Sequence, residues 1–126
     1  MKRRIRLRGR RDFQALVSGR RVFAGAGLVA FARPGATDHT RIGVAVSRQV
    51  KGSVNRNRVR RRLREACRVG FLPGLADWAA ARPGITFDVV LIARPAALRV
   101  PFDSLRAEVV EFAHRLQATG LARAPR

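Results

Sequence analysis

Residues 56 to 68 contain seven arginines, and any fold of this chain must keep those charges out of its core. At ~100° per residue, a helix over this stretch gathers its apolar side chains into one arc: Val59, Leu63, Ala66 and Cys67. The opposite arc contains Asn57, Arg61, Arg64 and Arg68, with Arg60 at its edge and Arg58 and Arg62 on the flank beside Glu65. The pattern predicts an amphipathic helix whose apolar underside packs on the fold and whose outer face is in solvent.

The charge pattern on the outer face of this helix favours an anionic partner. Like charges at i and i+4 destabilise an isolated helix, and phosphate groups would relieve that repulsion while releasing condensed counterions. A face that is merely solvated is expected to mix charges of both signs. Here Glu65 is the one acid among seven bases, so the composition favours a polyanion as the partner.

The charge of the whole chain points the same way. The formal net charge is +19, and residues 1 to 68 hold 20 basic and 3 acidic side chains, whereas residues 69 to 126 hold 7 and 5. A membrane surface is the competing polyanion, but no run approaches the roughly 18 apolar residues of a spanning helix. The basic amino terminus lacks the apolar run of a secretory signal, and Cys67 is the only cysteine. These features predict a cytoplasmic protein without membrane contact.

The order of periodic segments predicts one α+β domain with the order α-β-β-β-α-β-α. The expected helices cover residues 11 to 19, 53 to 69 and 103 to 120, with Ser53 as a helix N-cap. The expected strands cover residues 22 to 23, 28 to 31, 41 to 47 and 88 to 94, and the apolar fourth strand is central in the sheet. We assign residues 1 to 9 to a basic flexible arm, 10 to 119 to the domain and 120 to 126 to a tail.

Several motifs in this order resemble the bacterial ribonuclease P protein family. They are Leu7-Arg8, Asp12-Phe13, Gly19, Arg41-Ile42-Gly43-Val44-Ala45-Val46-Ser47, Val54-Asn55-Arg56-Asn57-Arg58-Val59-Arg60-Arg61, Arg64-Glu65 and the apolar strand that ends in Ala93-Arg94-Pro95. The resemblance covers most of residues 7 to 116, and Arg-Asn-Arg at the start of a basic helix is the hallmark of the family.

The resemblance implies a fold and two RNA-binding sites. The fold is an α-β sandwich with a left-handed β-α-β crossover. The basic helix would bind the catalytic RNA through Arg56, Asn57, Arg58, Arg60, Arg61, Arg64 and Arg68. A neighbouring cleft would hold the single-stranded 5′ leader of precursor transfer RNA against Phe13, Phe31, Ser47 and Arg48, although ordinary core packing explains the two phenylalanines equally well. One protein monomer would bind one RNA subunit.

The polypeptide shows no set of residues suited to catalysis. Five of the eight acids, Asp88 among them, stand singly, and His39 and His114 are isolated, so neither a general acid and base pair nor a Mg²⁺ site is visible. The family resemblance places the chemistry and most of the Mg²⁺ on the RNA subunit. Cys67 is interpreted as a packing residue and Trp78 as a loop anchor. The alternative functions are a structural ribosomal protein and a DNA-binding module with its helix in a major groove.

Overall fold

The computed structural model describes residues 10 to 74, 81 to 82 and 84 to 118, with side chains in the first helix described from Gln14 onward. Its elements are α1 (Arg10–Val17), β1 (Arg20–Ala24), β2 (Leu28–Pro34), β3 (Arg41–Val46), α2 (Ser53–Gly70), β4 (Phe87–Ala93), a 3-10 turn (Pro95–Leu98) and α3 (Phe102–Ala118). The predicted order of helices and strands is confirmed. The proposed arm at residues 1 to 9, the tail at 120 to 126 and the Trp78 anchor lie outside the described residues.

The four strands form one sheet in the order β1-β2-β4-β3. The pairs β1–β2 and β2–β4 are antiparallel, whereas β3 and β4 are parallel and are connected through α2. All residues from Phe87 to Leu91 are buried, which confirms β4 as a central strand covered on both faces. The mixed α+β architecture is therefore as predicted; the left-handed sense of the β3-α2-β4 crossover stays a prediction.

The two faces of the sheet carry different apolar clusters because side chains alternate along each strand. The larger cluster lies between the sheet and the helices α2 and α3, and it includes Leu28, Val89 and Leu91 from strands and Leu63, Leu105 and Phe112 from helices. On the other face, Leu16 of α1 packs on Val90, with Val17, Phe31 and Ile92 partly buried around them. Two helices thus cover one face, while α1 covers part of the other.

Two local expectations differ from the structure. The N-cap of α2 is Gly52, with φ of 88°, and no side chain caps the helix, so the prediction of Ser53 as the cap is wrong. Glycine suits this position because other residues are strained at positive φ. Strand β2 also continues through Pro34, three residues beyond the predicted end of the strand at residue 31. Pro34 lies beyond the last β1 pair, Arg20 with Ala32, so its missing N–H costs no hydrogen bond there.

Candidate nucleic-acid interface

The underside of α2 is the anchored side of the helix. Val59, Leu63, Ala66 and Cys67 are all fully buried, which confirms the predicted apolar arc. Burial raises the pKa of the Cys67 thiol to about 12, so this thiol stays protonated at neutral pH and serves packing. The core therefore determines which face of α2 points away from the protein.

The outer face of α2 exposes its predicted polar side chains. Asn57, Arg58, Arg61 and Arg64 are exposed, and Arg60 is half-buried beside them. The Arg60 Nη1 atom donates a hydrogen bond of 2.9 Å to Oδ1 of Asn57. Asn57, Arg60, Arg61 and Arg64, with Val54 of the first helical turn, line a shallow depression, and Val54 is 77% exposed. The structure thus brings four of the seven proposed RNA contacts together in this depression, and Arg58 is exposed on the flank of the same helix.

Arg68 lies on the same face but is engaged with Glu65. Its Nε and Nη2 atoms donate to the two carboxylate oxygens of Glu65 at 3.0 and 2.5 Å, a bidentate pair one helical turn apart. The hydrogen bond from Arg68 lowers the pKa of Glu65, against a smaller opposing effect of desolvation. An RNA contact by Arg68 stays a prediction. For such a contact, the guanidinium must either leave Glu65 or bind Glu65 and the RNA at the same time.

Arg56 turns inward from the start of α2. Its Nη1 atom donates to the carbonyls of Ser47 and Val50 at 2.9 and 3.1 Å, and its Nη2 atom donates to the carbonyl of Val46 at 3.2 Å. The first arginine of the Arg-Asn-Arg motif therefore ties α2 to the end of β3 and the loop that follows. Its role as an RNA contact stays a prediction, because most of its donors are used within the protein.

Arg62 fastens the other flank of α2, a role that the sequence did not indicate. Its Nη1 atom donates to the Ala97 carbonyl at 2.7 Å and its Nη2 atom to the Val100 carbonyl. These acceptors lie in and after the 3-10 turn, more than 30 positions along the chain. No sequence pattern marks such a contact, because arginine at a helix flank is normally solvated.

The proposed leader cleft is only partly described. Phe31 lies on the α1 side of the sheet, at the margin of the Leu16 and Val90 cluster. Its side chain is half-buried, so it packs against this cluster and is also partly accessible to solvent. Ser47 follows β3, where its backbone N–H donates to the Ala93 carbonyl at 2.9 Å, and the adjacent Arg48 is exposed. Phe13 belongs to α1, but its side chain lies outside the described part of the structure.

Asp88 is a buried acid whose partners the sequence did not reveal. Its carboxylate accepts hydrogen bonds from Arg41 at 3.0 and 2.8 Å and from Arg33 at 3.1 Å. The side chain of Asp88 is 0% exposed, against 16% for Arg41 and 29% for Arg33. Burial alone would raise the pKa of Asp88, but the two guanidinium groups outweigh it and lower this pKa below its usual value. The sequence set Asp88 apart from the other acids, but it did not indicate that two arginines bind this carboxylate.

Metal-ligating residues do not cluster in the described part of the chain. No three His, Cys, Asp or Glu side chains come together there in a way that could hold an ion. His39 contacts the neighbouring Asp38, and His114 is exposed on α3. Among the same residues, no helix is both long and apolar enough to cross a membrane.

Comparison with known proteins identifies the family. The family model for ribonuclease P matches residues 1 to 117. The ribonuclease P protein component of Symbiobacterium thermophilum is 40% identical over 116 residues, covering 91% of this chain and 93% of the relative. That of Paramagnetospirillum magneticum is 36% identical over 128 residues, covering 95% and 90%.

Solved structures share the fold. The ribonuclease P protein from Thermotoga maritima superposes with a TM-score of 0.64 at 28% identity, covering 87% of this chain and 96% of that one. The Staphylococcus aureus protein superposes with a TM-score of 0.63, covering 94% and 98%, and at 22% identity it supports the fold alone. The family match, the identities and the shared fold agree with the basic helix described above: the chain belongs to the ribonuclease P protein component family, the protein subunits of the endoribonuclease that processes transfer RNA.

Proposed function

We propose that this protein binds the ribonuclease P RNA through the outer face of α2 and the single-stranded 5′ leader of precursor transfer RNA on the sheet face beside α1. One protein monomer would serve one RNA subunit in the cytoplasm. The observation that carries the proposal is the exposure of Asn57, Arg58, Arg61 and Arg64 together on a helix that is otherwise anchored.

The charge balance on α2 supports an RNA partner. Glu65 is engaged with Arg68, and none of the carboxylates whose side chains are described pairs with Arg58 or Arg61. Guanidinium groups suit phosphate because their planar donors can form two parallel hydrogen bonds to it. The charges of Arg58 and Arg61 thus lack a carboxylate partner among the described residues, which favours an anion supplied by another molecule.

The position of Phe31 supports single-stranded RNA as the second ligand. Its ring is half-buried against the α1 cluster and half-accessible, so its packing holds it in place while it can still meet a base. Unpaired bases of any sequence can stack on an aromatic ring, and no specific base edge needs to be recognised. Such a site fits leaders of differing sequence.

The described carboxylates do not fit a Mg²⁺ ion on the protein. The Asp88 carboxylate is occupied by two guanidinium groups, and the described acids form no cluster of the kind that holds a metal ion. We propose that the RNA subunit holds most of the Mg²⁺ and provides the catalytic centre. The protein residues bind and orient the two RNAs.

Reconstitution tests this division of roles. The purified protein with precursor transfer RNA and Mg²⁺ is expected to give no leader cleavage, and addition of a bacterial ribonuclease P RNA at low Mg²⁺ is expected to restore it. Cleavage is measured as release of the 5′ leader, with the RNA subunit alone as the control. Leader removal by the protein alone, retained when Arg61 and Arg64 are replaced, would contradict the proposal.

Replacing Phe31 with alanine is expected to weaken holoenzyme binding to precursor transfer RNA about five- to a hundredfold, because one base-stacking contact contributes about 1 to 3 kcal/mol. Phe31→Trp, which keeps an aromatic face, is expected to retain most of the affinity. The measurement is the Kd for substrates with and without a leader. If the protein were instead a structural RNA-binding protein, Phe31→Ala and Phe31→Trp would bind with the same affinity, and each would bind substrates with and without a leader equally well.

A further inference from the structure

Arg21 lies next to Phe31 on the sheet face that α1 partly covers. The strand register pairs Arg21 of β1 with Phe31 of β2, and Phe31 in turn with Val90 of β4. Directly paired residues project to the same face with Cβ atoms about 4.5 to 5.5 Å apart. Phe31 thus has a buried apolar neighbour on one side and a cation on the other.

Along this row of the sheet, the described residues cover Phe31 on the side of β4 and leave it open towards Arg21 on the side of β1. On the β4 side, Leu16 of α1 covers Val90, and the two residues are 1% and 0% exposed. On the β1 side, Arg21 is exposed, and β1 is an edge strand of the sheet. A nucleotide stacked on Phe31 therefore has its free space over the β1 edge.

Arg21 has no internal role in the described part of the chain. It makes no ion pair or side-chain hydrogen bond with a residue described there, unlike Arg33, Arg41, Arg56, Arg62 and Arg94. The β1–β2 register shifts only after Arg21, between Arg21 and Phe23, so the pairs Arg20 with Ala32 and Arg21 with Phe31 share one register. The guanidinium of Arg21 is available to a ligand on this face.

A general explanation also exists for arginine on an edge strand. Charged residues there discourage pairing with the edge of another sheet. That explanation treats Arg20 and Arg21 alike, since both are exposed on β1. The two differ in the face they occupy: Arg20 pairs with Ala32, whose side chain belongs to the larger cluster on the opposite face.

We propose that Arg21 binds a backbone phosphate of single-stranded leader RNA adjacent to the nucleotide stacked on Phe31, so that the RNA crosses the β1 edge. The proposal rests on the proposed function, because it extends the same leader site. It adds a phosphate contact that depends on the leader and lies on a strand remote from the basic helix.

The test uses the reconstituted holoenzyme with Arg21→Ala and Arg20→Ala as a matched pair, since each removes one charge from the same strand. Arg21→Ala is expected to weaken binding of leader-bearing precursor transfer RNA about tenfold, as one hydrogen-bonded contact to a charged group is lost. The slope of log affinity against log salt should fall by about 0.7, the value for one phosphate of a single strand. Arg21→Lys should keep most of that slope. Arg20→Ala should leave both quantities unchanged.

Leaderless transfer RNA separates a leader contact from general charge effects. Its affinity is expected to be the same for the wild type and both variants. Equal losses in Arg20→Ala and Arg21→Ala, or losses that persist without a leader, would overturn the assignment of Arg21. The assignment of Arg21 would also be overturned if Arg21→Ala bound leader-bearing substrate as tightly as the wild type while Phe31→Ala showed a leader-dependent loss of affinity. That result would leave the proposed function standing. If Phe31→Ala showed no leader-dependent loss, the result would count against the proposed function itself.

Discussion

Replacement of both Arg61 and Arg64 by alanine is expected to weaken binding of the ribonuclease P RNA about a hundredfold at low ionic strength. Both side chains are exposed on the outer face of α2, and a hydrogen bond to a charged group contributes about 1.5 kcal/mol or more. Two lost phosphate contacts should also reduce the slope of log affinity against log salt by about 1.8 on duplex-like RNA. Filter binding or fluorescence titration over a range of salt concentrations measures both quantities.

The matched control for this experiment is the double variant Arg106→Ala and Arg115→Ala on α3. It removes the same charge from exposed side chains that pair with Asp103 and Glu111 at 3.7 and 3.4 Å. We expect its salt slope to equal that of the wild type. If the two double variants lose affinity equally, net charge rather than the α2 face governs binding; if neither slope changes, the α2 face does not contact phosphate.

Replacement of Asp88 by asparagine is expected to lower the free energy of unfolding by about 3 kcal/mol at neutral pH. Removing one partner of a buried ion pair costs about 3 to 5 kcal/mol, and the partial exposure of Arg33 and Arg41 favours the lower end of that range. Urea denaturation followed by circular dichroism measures the change. Glu111→Gln, which breaks an exposed pair with Arg115, should cost less than about 0.5 kcal/mol. Equal costs for the two variants would contradict a structural role for the Asp88 pair.

The pH dependence of stability gives a second measurement on Asp88. Because its pKa in the folded protein lies below the ordinary value of 3.8, the ionised carboxylate stabilises the fold above that value. This contribution is lost as the pH falls below 3.8 and through the lowered pKa. The unfolding free energies of the wild type and Asp88→Asn are therefore expected to converge at acid pH. Curves that remain parallel over this range would show that the Asp88 charge does not stabilise the fold.

The helices and the central strand could be predicted because each has a local signal. The buried residues of α3, which are Leu105, Val109, Phe112 and Leu116, follow a helical period, and the apolar run of β4 is typical of a strand covered on both faces. The α2 arcs followed from the same geometry. Boundaries lack such a signal: the end of β2 at Pro34 depends on its pairing with Phe87 of β4, which is not a property of the segment itself.

The roles of individual arginines could not be predicted, because they depend on contacts between distant segments. Helical spacing assigns the arginines of this run to an outer arc and a flank, but it does not show what each one contacts. Arg56 and Arg62 bind main-chain carbonyls, Arg68 pairs with Glu65, and Arg61 is exposed without such a partner among the described residues. The partners of Asp88 could not be predicted for the same reason, since Arg33 and Arg41 lie 55 and 47 positions away. Helical periodicity separates a buried face from an exposed one, but it does not distinguish anchoring from binding side chains.

The contacts of Arg56 with the carbonyls of Val46, Ser47 and Val50 have a consequence for the assembly of the complex. They join the start of α2 to the end of β3, so the helix proposed to bind the ribonuclease P RNA cannot tilt without displacing Ser47 of the proposed leader cleft. If both proposed sites are used, the angle between the two RNAs is determined before either one binds. Preorganisation of this kind lowers the entropic cost of bringing three molecules together.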